Sequence, residues 1–513
     1  MNFIKETKSI CPECNKVLPA TIFERNGKVW IEKKCQDHGR IEELYWGSYE
    51  MYQNASRYNI KGKGVNNPII QKDVVNCPSD CGLCKEHLTH TTLANIVVTN
   101  RCDLACWYCF FYAKRAGYIY EPSLDQIREM AKNLRNQKPV PGNAVQLTGG
   151  EPCLRDDLTE IIKIIKEEDI DHVQVNTDGI RLATDPTLAR KIKEAGTNTI
   201  YLSFDGLTPN TNPKNHWEIS TILDNCRNAN LGIVFVPTII KGVNDHEVGD
   251  IVKFASKNID VVRGVNFQPV SLTGRLTKAE RDKYRITIPD VIQRIEEQTD
   301  GEIAKNDFYP VPCTDPVSKF VEALTGRAHY ELSVHFVCGA ATYVFTEEDK
   351  LIPLTRFIDI DGFFKYLSEK ADEINKGKNR YWVAIKALSK LNKFVDKEKQ
   401  PKGLNLSKII FNALWKHNYE ALGVFHHKAL FIGMMHFQDK YNYDIQRVIR
   451  CGIHYLVPDG RIIPFCAFNV IPEWYRDKIQ REFGISIEEW EKITGRKIKD
   501  DRYIRKKPEI IAK

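Results

Sequence analysis

Fifteen cysteines in 513 residues carry the chemistry that this chain can do. Three of them, Cys102, Cys106 and Cys109 in TNRCDLACWYCFFY, follow directly on the apolar run LANIVVT. Three thiolates can hold three irons of a [4Fe-4S] cube and leave the fourth iron without a protein ligand, so the cluster keeps a corner open to a small molecule. Cys77, Cys81 and Cys84 in NCPSDCGLCKEH repeat the spacing. They suit either a second open cluster or an auxiliary cluster closed by a fourth ligand, for which His87, His90 and Cys153 are at hand. Nearest the start, CPEC is followed by CQDHG, with Asn26-Gly27 between two strand-like runs. A hairpin there brings Cys11 and Cys14 opposite Cys35 and His38, a set that fits one tetrahedral ion, zinc or iron. Cys313, Cys338, Cys451 and Cys466 stand far apart in loop-like settings and match the four thiols of one closed [4Fe-4S] site. Cys153 and Cys226 read as structural thiols.

The elements that must position these groups follow from periodicity. From residue 93 to about 275, short Val- and Ile-rich runs (LANIVVT, AVQLTGG, HVQVNTDG, TIYLSFDG, GIVFVPTII, VVRGVNFQPV) alternate with amphipathic helical segments. Parallel βα units are implied, and ligands at strand C-termini predict a partial TIM-type barrel of six units, with a doubly wound open sheet as the alternative. The expected domains are a metal knuckle over 1–60, an auxiliary-cluster segment over 61–92, the barrel over 93–275 and a mainly helical iron-sulfur domain over 276–513. In the last of these, a long basic run from Gly403 to Ile449 reads as helix. His417, His426, His427, His436 and His454 lack ligand spacing and read as surface or packing residues, while Met434 and Met435 suit a core or a hydrocarbon contact.

Composition narrows the function classes. No stretch reaches 18 uninterrupted apolar residues and the start lacks a secretory signal, so a cytoplasmic protein is expected. Fifteen thiols in such a chain point to metal ligation in a reducing compartment rather than to disulfides. The net charge is +7, but residues 361–513 hold 30 Lys and Arg against 19 Asp and Glu. That excess suggests an anionic membrane surface as a peripheral partner. Nothing matches a nucleic-acid module.

The knuckle resembles rubredoxins and zinc ribbons. Cys102, Cys106 and Cys109, with Tyr108 before the last thiol and Gly149-Gly150-Glu151-Pro152 at the end of the second strand, resemble the radical S-adenosylmethionine (SAM) superfamily. The resemblance implies SAM bound at the open iron corner, its amino group near Gly149, Gly150 and Glu151, and one-electron cleavage to a 5′-deoxyadenosyl radical. Similar carry-over makes Asn176, Ser203 and Asp205 candidates for the ribose and carboxylate, and Gln268 a candidate near adenine.

Along the whole chain the order of motifs resembles the archaeal tetraether lipid synthases. That implies joining the terminal methyl carbons of archaeol-type diether lipids, sp3 carbon to sp3 carbon, into macrocyclic and tetraether lipids. It also implies three [4Fe-4S] clusters, one mononuclear ion, an external electron donor and an apolar tunnel for the lipid. The alternative enzyme is a radical SAM C-methyltransferase acting on a pterin-like small molecule, which a compact polar pocket would separate from the lipid enzyme. A multicluster electron carrier is a third possibility, and it leaves Gly149, Gly150 and Glu151 unexplained.

Overall fold

The computed structural model describes residues 2–111, 116–273, 276–402, 404 and 428–505. His417, His426 and His427, with most of the basic run expected to be helical, lie outside the described residues.

Four antiparallel strands, Asn2–Ile10, Val17–Arg25, Lys28–Cys35 and Gly39–Trp46, form a ribbon in sequential order. Asn26 and Gly27 both take positive φ, 54° and 72°, which is the hairpin turn that an Asn-Gly pair favours. The ribbon docks on the body through buried polar groups. Lys33 Nζ donates to Ser9 Oγ, Lys440 O and Tyr441 O at 2.9, 3.0 and 2.9 Å. Glu43 pairs with Arg281 and Arg285, and Arg285 pairs in turn with Asp439. Thr7 and Tyr45 both donate to Asp444, so segment 439–444 is gripped along its length.

Six parallel strands make the barrel wall: Leu93–Thr99, Ala144–Gly149, His172–Thr177, Thr199–Leu202, Gly232–Phe235 and Val262–Pro269. They neighbour one another in chain order with no reversal, unlike a doubly wound sheet, whose strand order reverses at a switch point. Between them run helices such as Leu124–Arg135, closed at its start by a Ser123/Gln126 capping box, and Leu158–Glu167. Their apolar faces, with the Val and Ile of the strands, make the main core.

The C-terminal region, expected to be mainly helical, also supplies strands to this sheet. Ala429–Met435 pairs in parallel with Val262–Pro269, and Gly339–Glu347 pairs antiparallel with Ala429–Met435. At the opposite edge Ile453–Leu456 pairs in parallel with Leu93–Thr99 and antiparallel with Ile462–Pro464. In the sequence ALFIGMM reads as part of the helical run. Seven apolar residues carry no periodicity that tells a buried strand from a helix, and the open edge of the sixth barrel strand decides the matter. Among the described residues no helix is long and apolar enough to cross a membrane.

Candidate active site

The loop carrying Cys102, Cys106 and Cys109 leaves the first barrel strand at Asn100. Asn100 Nδ2 donates to Tyr118 O at 3.0 Å and its Oδ1 accepts from Tyr120 N at 2.9 Å, which ties the two ends of the loop together. Arg101, buried, pairs with Glu121 at 2.8 Å and Asp501 at 2.9 Å. The end of the second strand packs against this start. A Cβ on Gly149 would lie 2.1 Å from Thr99 O, and one on Gly150 1.9 Å from Arg101 O. With no side chains there, Gly150 N donates to Thr99 O at 2.8 Å and Glu151 N to Arg101 O at 2.7 Å. The glycines therefore seat the cysteine loop as well as facing the cavity beyond it.

That cavity has a volume of about 240 Å³ and is lined by Cys102, Cys106, Tyr108 and Cys109 on one side and by Gly149, Gly150 and Glu151 on another. Asn176, Ser203 and Gln268 line it from later strand ends. Asp205 does not line it; its Oδ1 accepts from Thr238 N at 2.9 Å, and its Oδ2 accepts from Tyr108 Oη and pairs with Lys214 at 2.8 Å. Glu151 is buried and accepts from Thr177 Oγ1, Asp178 N and Cys153 N at 2.7, 2.8 and 2.9 Å. Burial and the Asp103 charge nonetheless push its carboxyl up to about 7. Burial, Glu151 and Asp103 hold the Asp178 carboxyl well above the usual carboxylate range, and a carboxylate oxygen of each aspartate lies within 4.8 Å of Cys102 Sγ. Burial likewise pushes the Cys106 thiol up to about 11, against the pull of Lys214.

Sequence reasoning missed several residues here. Lys214, the one lysine or arginine among the described lining residues, also donates to Ser203 Oγ. Asn95 and Gln146 line the cavity from register-paired positions on neighbouring strands, with Gln146 Nε2 donating to Asn95 Oδ1 at 2.8 Å. Gln174, next in register, donates to Gln146 Oε1 at 2.6 Å. A polar residue at the same place in successive apolar strands was the available signal. Three rings also line the cavity: Phe437 stacks on Phe465 at 3.8 Å, with Tyr455 5.3 Å from Phe465.

In the ribbon, the ligand atoms of Cys11, Cys14, Cys35 and His38 lie within 4.8 Å of one another. The Cys11–His38 and Cys35–His38 separations are 3.5 Å and the Cys14–Cys35 separation is 3.9 Å. A tetrahedral zinc with ordinary bond lengths sets its ligands roughly 3.5–3.8 Å apart, so the four donors fit one ion. The His38 hydrogen bond draws the Cys35 thiol down to about 6, towards the thiolate that a metal takes.

Cys77, Cys81 and Cys84 are close enough to act on one another, and Cys77 and burial hold the Cys81 thiol well above its ordinary value. Of their suggested fourth ligands, His87 Nε2 instead contacts Cys451 O at 2.9 Å and His454 Nε2 at 3.1 Å, and Cys153 donates to Thr177 under the glycine turn. His90 is buried with no hydrogen-bond partner on either nitrogen among the described residues. Cys338, Cys451 and Cys466 gather, each acting on its neighbours. Cys313, expected to join them, is not among the thiols acting on Cys451 and Cys466; it lies in the short helical turn Val311–Thr314 beside Tyr58, Tyr309 and Asp361. Cys226 is buried in the core, as a structural thiol should be.

Comparison with known proteins bears on this geometry. Residues 96–255 match the family model described as the radical SAM superfamily, and residues 3–47 match the HMPTM N-terminal zinc ribbon domain. A relative in Methanocaldococcus jannaschii, 7,8-dihydro-6-hydroxymethylpterin dimethyltransferase, is 46% identical over 509 residues, 97% of this chain and 99% of that one. The chain belongs to the radical SAM superfamily. A GTP 3′,8-cyclase of Clostridium acetobutylicum is 31% identical over 214 residues, 40% of this chain and 64% of the cyclase. Methylornithine synthase, a solved structure, aligns with a TM-score of 0.31 at 17% identity, covering 42% of this chain and 64% of its own.

Membership in the superfamily implies SAM and a [4Fe-4S] cluster for this radical SAM enzyme, and the ribbon implies a zinc ion. The comparison also corrects two expectations. The resemblance to tetraether lipid synthases, with coupling of lipid tails and a diether lipid as partner, gives way to a full-length relative named for methyl transfer to a pterin. The physical counterpart is the cavity itself, in which the amides of Asn95, Gln146, Asn176, Asn266 and Gln268 interrupt the apolar lining that a lipid tunnel needs.

Proposed function

We propose that this radical SAM enzyme methylates carbon on a pterin-like heterocycle. One observation carries the reading beyond the family: the cavity beside the cysteine loop is lined by side-chain amides and aromatic rings together. An aminopyrimidinone edge alternates donors and acceptors, and Asn and Gln side chains supply both. The flat ring system would lie against Phe437, Phe465 and Tyr455, which suits a planar ligand of this size. The full-length relative supports the same substrate class.

In this reading Cys102, Cys106 and Cys109 hold the cluster at which SAM binds, and together these groups supply one-electron chemistry at carbon when bound. Gly149 and Gly150 fix that loop, while Asn176, Ser203 and Gln268 face the cofactor. Glu151, whose carboxylate oxygens keep lone pairs beyond their three protein donors, faces its ammonium. Tyr108 and Asp205 act together, the carboxylate holding both the phenol and Lys214 in place. Cys77, Cys81 and Cys84 carry a second cluster, and Cys338, Cys451 and Cys466 a third. The ribbon, the auxiliary segment, the barrel and the C-terminal region act as one unit rather than as four separable domains, because ribbon and C-terminal strands are joined to the barrel through buried ion pairs and shared sheet edges.

The test is anaerobic incubation of the reconstituted full-length chain with SAM, a reductant and 7,8-dihydro-6-hydroxymethylpterin, followed by mass analysis. Pterin carrying one or two added methyl groups is expected, and none with C102A. SAM cleavage without a methylated pterin would reject the substrate while leaving the family intact.

A further inference from the structure

Arg447 is fully buried, and no carboxylate pairs with it among the described residues. Its Nε donates to Cys338 Sγ at 3.3 Å and its Nη2 to His436 O at 2.5 Å, while Nη1 has no partner. Asp444, the nearest carboxylate along the chain, is taken by Thr7, Tyr45 and Lys5. The groups acting most strongly on the guanidinium are Cys338, Tyr45 and Cys466. A buried cation without a counterion costs several kcal/mol, so an anion belongs against the unpartnered face. The three neighbouring thiols Cys338, Cys451 and Cys466, ionised on binding the iron-sulfur cluster they suit, would with it be that anion.

The surroundings of the Cys102, Cys106 and Cys109 loop have the opposite sign. There Asp103, Asp178 and Glu151 crowd Cys102, and among the described residues the cations beside the loop, Lys214, Arg101 and Arg476, are already paired with Asp205, Asp501 and Asp477. A cluster gains negative charge on reduction, so a neighbouring cation favours the reduced form and neighbouring carboxylates disfavour it. Hydrogen bonds to cluster sulfur act in the same direction as the cation.

We propose that Arg447 is a positioning residue that raises the reduction potential of the cluster held by Cys338, Cys451 and Cys466 above that of the cluster held by Cys102, Cys106 and Cys109. The two then differ in role: the carboxylate-flanked cluster is the strong reductant, and the arginine-flanked one is the site where an electron rests. The inference uses the superfamily assignment and the donor set, and does not depend on the pterin.

The test is an EPR-monitored redox titration of the anaerobically reconstituted full-length protein, its R447Q and R447K variants, and C338S and C102A as assignments for the two signals. The signal lost in C338S should titrate at higher potential than the one lost in C102A; the reverse order overturns the proposal. R447Q should lower the C338S-assigned midpoint so that reduced over oxidised cluster falls about tenfold at fixed potential, ~59 mV for one electron, leaving the other midpoint unmoved. An unmoved midpoint in R447Q with its iron retained overturns the proposal. Should R447Q lose that iron, R447K decides. A midpoint within about threefold of the parent ratio supports the role of charge, and a tenfold fall refutes it. Iron content in C338S, C451S and C466S equal to the parent would also refute it.

Discussion

Replacing Gly150 by alanine tests whether the glycine pair seats the cysteine loop. The new Cβ would stand 1.9 Å from Arg101 O, 2.5 Å from Arg101 C and 3.0 Å from Asn100 C. Heavy atoms touch comfortably at about 3.5 Å, so the two segments must part by roughly 1.5 Å. The obstacle is backbone rather than a side chain that could turn aside. Arg101 cannot swing away cheaply, because its guanidinium is locked between Glu121 and Asp501. The separation breaks Gly150 N to Thr99 O and Glu151 N to Arg101 O, about 1 kcal/mol each. Overpacking adds about 1–3 kcal/mol, for a local cost on the order of 3–5 kcal/mol. The cysteine loop is what moves, so iron and sulfide per chain after anaerobic reconstitution should fall and SAM cleavage should fall with them. Gly242→Ala is the control: its φ of +73° brings left-handed strain of about 1–2 kcal/mol, but nothing lies within 4 Å of the added methyl. G150A that kept parental iron and cleavage, and lost no more stability than G242A, would refute the seating role.

Four further outcomes are expected. C313S should keep the parental iron content, whereas C338S, C451S and C466S should each lose about four irons per chain; equal losses in all four would restore the four-cysteine site. H38A, or a chelator acting on the ribbon, should remove its metal and lower the midpoint of thermal unfolding, since the ribbon strands that grip segment 439–444 lose their tie; metal analysis with calorimetry reads both. K214M leaves Asp205 buried and uncompensated and should cost about 3–5 kcal/mol, more than K214M/D205N, in a denaturation cycle. His90, whose pKa burial lowers from 6.5 to about 4, stays neutral when folded while the unfolded chain takes up a proton. Stability should therefore fall as pH drops from about 6.5 towards 4, by roughly 2–4 kcal/mol, and His90→Phe should flatten that slope in denaturant titrations.

Much of this could be read in the sequence because it is local. The Asn26-Gly27 turn, the ligand set of the ribbon, and the alternation of apolar runs with helices all depend on spacings of a few residues. Cys102, Cys106 and Cys109 with Gly149-Gly150-Glu151 were legible for the same reason, each set lying within one short stretch of chain. The long-range pairings were not. Nothing in VPCTDP separates Cys313 from its supposed partners, because grouping depends on which sheet edge each loop meets. Lys214 lies in a loop after the fourth strand and becomes a site residue only when Asp205 and Ser203 turn towards it. ALFIGMM could not be told from helix until the open edge beside Val262–Pro269 was known.

The two C-terminal strands at the barrel's edges explain why substrate wall and auxiliary thiols come from one stretch of chain. Met435 ends one strand and Phe437 follows it into the cavity; Tyr455 lies on the other, and Phe465 follows the hairpin that this strand makes with Ile462–Pro464. Cys466 comes next after Phe465, so one residue faces the cavity and its neighbour faces Arg447. Tyr455 is acted on by both Cys109 and Cys466, so it lies within reach of both thiol groups. A ligand resting on Phe465 and Tyr455 would therefore lie near both the cysteine loop and the thiols proposed to hold the arginine-flanked cluster. The rings offer such a ligand a flat support, and Arg447, fully buried, acts on the neighbouring thiols through a medium of low polarity, where its charge is least screened.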